Sequence, residues 1–187
     1  MIIQKINITT FAGLTGREIK FKDKLNVVLG PNEAGKSTIF SAIENIMFTP
    51  AKLTPSKFEK TMGHFLPIGG GDTLKAEIDF THDGGKYQLQ RTWGSASSAV
   101  LTLPSGGVIG DDEKIQDEIE KCLQVSEGTC RNVMMTYQSG LTQTLEELQD
   151  DKETMQSFGD LMRTVVMELD GVSVDAFKAQ VEEAYHS

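Results

Sequence analysis

Residues 30–37 read GPNEAGKS, a fit to G-x-x-x-x-G-K-[ST]. That spacing constrains the fold more than any other feature of the chain. Phosphates need several N–H donors pointing inward, and glycines let a backbone curl around them without a Cβ in the way. Gly30, Asn32, Glu33, Ala34 and Gly35 supply that curl. Lys36 supplies a mobile point charge for the outer phosphates, and the Ser37 hydroxyl suits Mg2+. A helix opening through Lys36, Ser37 and Thr38 offers its positive N-terminus to the anion. The motif therefore demands a strand before it and a helix after it.

The flanking sequence fits that demand. Three short strands are expected first: 2–11, where Ile6 and Ile8 alternate with Lys5 and Asn7; 17–21; and the apolar LNVVL at 25–29, which reads as a strand buried on both sides. GLTG at 13–16 reads as the turn between the first two. Ile39, Ile43, Ile46 and Met47 predict a helix over 36–47. Residues 48–72 hold three of the five prolines and a glycine triplet, and read as loops with room for a short helix. An antiparallel meander follows over 73–82, 86–93 and 99–104, with DGG as its hairpin turn. Tyr87, Leu89 and Trp93 share one face of the middle strand. Residues 111–123 carry an Ile115, Ile119, Cys122, Leu123 stripe after Asp111 and Asp112, as a helix would. The last third reads as helix through Met155, Phe158, Met162, Val165 and Leu169, then as a second helix after Ser173.

Bulk properties exclude several classes. The net charge of −9 gives no sequence-wide nucleic-acid footprint. Cys122 and Cys130 form no CxxC pair and read as reduced core residues, and His64, His82 and His186 are too scattered to suggest a metal site. No apolar run approaches a membrane span and the N-terminus lacks signal-peptide features, so a cytoplasmic protein is expected.

The stretch IKFKDKLNVVLGPNEAGKSTIFSAIENIMF resembles the N-terminal half of an ATP-binding cassette head of the SMC type, and within that group it is similar to SbcC-like and YhaN-like ATPases. The resemblance is strongest at 1–48 and extends over 73–94 and 133–185. It implies an α/β P-loop NTPase fold: a mixed sheet, a small antiparallel β lobe and a C-terminal helical arm. Residues 1–142 would be the P-loop and lobe, and 143–187 the arm leading toward a coiled coil. ATP and Mg2+ are the implied cofactors. In MMTYQSGL (134–141), Gln138 matches the family's glutamine that reaches Mg2+ and the attacking water, so Gln138 and Lys36 are the implied catalytic residues and Ser37 and Gln138 the metal contacts. Where some relatives carry a basic residue between the first two strands, this chain reads FAGLTG, which leaves backbone N–H groups for that role.

Two parts of such a head are not legible. A signature segment and an apolar strand ending in Asp-Glu lie in the family's C-terminal half. The Ser-Gly-Gly of 105–107 reads as a turn, and TVVMELD (164–170) continues a helical stripe. The expectation is an ATP-binding half-domain that hydrolyses ATP only with its C-terminal half and a partner in a nucleotide-dependent homodimer. DNA enters by resemblance alone. One alternative is a self-contained NTPase or small-molecule kinase using Asp79, Glu168 or Asp170 as base. Another is a non-enzymatic interaction module using residues 143–185.

Overall fold

The computed structural model describes residues 1–135. Gln138 and the helices expected over 143–185 lie outside the described residues. The chain divides into two compact units, Met1–Leu123 and Gln124–Ser187.

The first unit is built on one sheet of six strands: β1 (Ile2–Phe11), β2 (Leu14–Lys20), β3 (Thr73–His82), β4 (Gly85–Gly94), β5 (Ser98–Thr102) and β6 (Val108–Ile109). Their order is β2-β1-β3-β4-β5-β6, and every pairing is antiparallel. Alternation dictates which face is buried. Leu74, Ala76, Ile78 and Phe80 of β3 are 0–2% exposed, while Lys75, Glu77 and Asp79 between them face the other way. The same rule buries Ile6 and Ile8 of β1 and Leu89 and Trp93 of β4. The opposite face is a polar ladder. Lys5 Nζ pairs with Asp79 at 2.8 Å, Gln88 Nε2 donates to Asp79 at 3.0 Å, and the Asp79 hydrogen bond holds the Lys5 ammonium above its ordinary pKa.

Three helices accompany the sheet: α1 (Lys36–Phe48), α2 (Pro55–Thr61) and α3 (Asp112–Leu123). α1 buries Ala42, Ile46, Met47 and Phe48, and α3 buries Ile115, Ile119 and Cys122. The α3 stripe has the expected three-four spacing. In α1, Ile46 and Met47 are buried as expected, but Ile39 and Ile43 are only half-buried, and Ala42 and Phe48 take the remaining core positions. Thr54 caps α2 by accepting from Lys57 N–H, with Pro55 at the first helical position. Asp111 caps α3 by accepting from Lys114 N–H at 3.1 Å. In the second unit, Ser126 caps a short helical turn through Thr129 N–H.

One expected strand is absent. Residues 25–29 form no strand, and Leu25, Val27, Val28 and Leu29 are 89, 68, 44 and 86% exposed. A strand buried on both sides needs neighbours on both edges, and the described residues provide none for this segment. Asn26 instead organises a local turn, accepting from Lys22 N–H and donating to the Lys22 and Lys24 carbonyls. The first hairpin also turns earlier than expected, at Ala12 and Gly13, both with positive φ. The Ser-Gly-Gly of 105–107 is the turn expected of it, closed by Leu103 N–H to the Gly107 carbonyl.

Gly94 has φ +99°, and a Cβ there would sit 1.9 Å from the Asp72 carbonyl oxygen. Gly94→Ala is therefore expected to cost at least about 2 kcal/mol in urea unfolding. A second outcome follows from burial of Cys122, which pushes its thiol above the ordinary pKa, with Tyr87 hydrogen bonding partly opposing. The unfolded thiol ionises first, so stability is full below the ordinary thiol pKa and falls as pH rises through the folded one. Stability measured against alkaline pH should decline less steeply in Cys122→Ala.

Candidate functional site

The GPNEAGKS loop, the candidate cradle, turns through two left-handed residues. Glu33 has φ +67° and Gly35 φ +85°. Gly35 is also the N-cap of α1, with no side-chain cap and no acidic residue in the first turn. The first N–H groups of a helix have no acceptor within it. Here no side chain at the cap serves them, and the positive end of the helix stays uncompensated. Glycine suits position 35. A Cβ there would meet Leu14 Cδ2 at 2.8 Å as well as the positive φ. The β1–β2 hairpin thus approaches the loop through the apolar side chain of Leu14.

Lys36 folds back over the loop. Its Nζ donates to the Gly30 carbonyl at 2.8 Å and to the Pro31 carbonyl at 2.6 Å. Ala34 N–H reaches Pro31 O at 3.3 Å and tightens the turn. Gly30, Asn32, Glu33, Ala34 and Ser37 are exposed, and Gly35, Lys36 and Thr38 are half-buried. The structure therefore brings all eight cradle residues into one loop and helix start, open to solvent. Of the acids considered as a base, Asp79 lies on the polar face of the sheet, occupied by Lys5 and Gln88. Glu168 and Asp170 lie outside the described residues, as does Gln138.

The far end of the cradle helix is held by a network the sequence reading missed. The Thr49 carbonyl, at the C-cap of α1, accepts from the Arg91 guanidinium and from Trp93 Nε1, the latter at 3.1 Å. The Asp112 carboxylate accepts from Ala51 N–H at 3.1 Å and Lys52 N–H at 3.2 Å, and lies 3.7 Å from Arg91 Nη1. Arg91 is 0% exposed. Its signal was present in the sequence. Arg91 falls between Leu89 and Trp93 on the inward face of β4, and a charge in an apolar row demands a partner. Arg91→Met leaves Asp112 without its cation and is expected to destabilise the fold by about 3 kcal/mol, read from denaturant midpoints.

Comparison with known proteins agrees with this geometry. A sequence model of a family described as an AAA domain matches residues 5–184. A "DNA double-strand break repair Rad50 ATPase" of Thermoplasma acidophilum is 29% identical over 126 residues, covering 65% of this chain and 13% of that protein. Its namesake in Sulfolobus acidocaldarius is 31% identical over 109 residues, covering 58% and 12%. The chain thus spans about an eighth of the length of these relatives. A solved structure described under "ATP-driven dimerization and DNA stimulated activation of SMC ATPases" superposes with a TM-score of 0.57 at 17% identity, covering 78% of this chain and 91% of that one. That likeness shows a fold shared with that SMC structure.

Proposed function

The chain belongs to the AAA domain family, on the SMC/SbcC-like side marked by its Rad50 relatives, and from that premise we propose that it is the ATP-binding half of a head domain. One observation supports this reading most: Lys36 drawn across the loop onto the Gly30 and Pro31 carbonyls, beside an uncapped helix N-terminus. A triphosphate offers that ammonium anionic oxygens in place of neutral carbonyls, a stronger pairing. The N–H groups of this loop and of the first turn of α1, other than that of Ala34, would hold the phosphates, and the positive φ at Glu33 and Gly35 supports such a curl of the backbone.

Mg2+ fits the same cradle. This ion is commonly bound by one or two protein groups together with substrate phosphates. Ser37, exposed in the first turn of α1, is the contact proposed among the described residues. Gln138 is proposed as the second contact and as the residue that orients the attacking water. The ion would neutralise charge on the phosphates during transfer.

Hydrolysis is proposed to require more than this chain: a C-terminal head half with signature segment and acidic strand, and a second copy in a nucleotide-dependent dimer. The exposed Leu25, Val27 and Leu29 support a missing neighbour on that edge. A role in DNA repair or chromosome maintenance rests on what the Rad50 and SMC relatives are named for. Among the described residues no helix is long and apolar enough to cross a membrane.

The test is Mg-ATP binding together with steady-state turnover, measured against protein concentration. Lys36→Ala should weaken binding by about 2–3 kcal/mol, and the wild-type chain alone should turn over no ATP above that variant. Unchanged affinity in Lys36→Ala would refute the cradle. Turnover that vanishes in the variant would mean the chain carries its own base, contrary to the half-head reading.

A further inference from the structure

Away from the cradle, one cavity combines apolar walls with a polar edge. Its volume is about 300 Å³, the small end of the range for ligand pockets. Leu53, Pro55 and Phe58, from the segment that follows α1 and from α2, supply the apolar wall. Asp72 and Ser95 supply the polar edge, where β3 begins and β4 has just ended.

That edge is built rather than incidental. Gly94 permits the backbones to approach so closely that any Cβ would collide with the Asp72 carbonyl. Ser95 N–H reaches the same carbonyl at 3.3 Å. The Asp72 carboxylate accepts from Thr73 Oγ1 at 2.9 Å, and Thr73 Oγ1 lies 3.2 Å from Ser95 Oγ. Hydrogen bonds from Ser95 and Thr73 hold the Asp72 carboxyl below its ordinary pKa, so it is an anion at neutral pH. Among the described residues, no ion pair takes up that charge.

We infer that this cavity binds a small organic ammonium ion, its apolar stem between Leu53, Pro55 and Phe58 and its charged head on Asp72 and Ser95. The walls favour any apolar body that fits. The polar edge then discriminates. An ammonium donates to the fixed carboxylate, a neutral alcohol gains no charge pairing, and a carboxylate is repelled. Nothing in this cavity provides donors for a phosphate comparable to those of the cradle loop, so the two sites take ligands of opposite charge.

The experiment uses the full chain, labelled with nitrogen-15, titrated with phenethylammonium chloride and separately with 2-phenylethanol, its neutral counterpart. Saturable shifts at the Ala51, Gly94 and Ser95 amides are expected, with the ammonium preferred by roughly fivefold because the pair is solvent-exposed. Asp72→Asn should erase the preference while leaving the alcohol response. Leu53→Trp, which fills the cavity, should remove both responses and covers the case in which Asp72→Asn does not fold. Equal affinity for the two probes, an undiminished preference in Asp72→Asn, or binding that survives Leu53→Trp would each overturn the assignment. So would the absence of saturable shifts.

Discussion

The carbonyl of Thr49 anchors the C-terminal end of α1, whose apolar residues Ala42, Ile46, Met47 and Phe48 are buried, to side chains of the sheet. It accepts from Arg91 and Trp93 on β4 while Asp112, at the start of α3, grips the next backbone amides. The last turn of a helix leaves carbonyls with no acceptor role inside the helix. Here one of them is satisfied by two side chains of the core face. The result fixes where α1 ends, and because a helix is stiff over its thirteen residues, it fixes where α1 begins. The loop at Gly30–Gly35 is then held from one side by Leu14 and from the other by a helix that cannot slide.

The arrangement also offsets part of the cost of a buried guanidinium. A charge removed from water is costly unless its hydrogen-bonding capacity is met. Arg91 meets a carbonyl and a carboxylate inside a row of apolar side chains. The carboxylate is itself held by two backbone amides, so the pair is geometrically fixed before any ligand arrives. Charge on the other face of the sheet is handled differently. Lys5, Glu77 and Asp79 pair across β1 and β3, partly open to water, where such pairs contribute little.

Local pattern made much of this legible. The β3–β4 hairpin follows from strict alternation and a DGG turn, and the α3 stripe follows from Ile115 to Cys122, while the α1 stripe was legible only at Ile46 and Met47. The Gly30–Ser37 loop stood out as a phosphate-cradle candidate because that chemistry needs those residue types at that spacing. Residues 25–29 were misread for a physical reason. Their apolar run suits a buried strand, but a strand exists only where neighbours supply hydrogen bonds. The Arg91 clasp escaped because its partners are 42 and 21 positions away, a separation no window of periodicity spans.

The central claim is that the loop from Gly30 to Thr38 cradles nucleotide phosphates. Its most direct test is an amide chemical-shift map of the nitrogen-15-labelled chain with and without saturating Mg-ATP. The largest shifts should fall on the amides from Asn32 to Thr38, the loop in which Glu33 and Gly35 have positive φ. Shifts concentrated elsewhere, with that loop unmoved at saturation, would contradict the account.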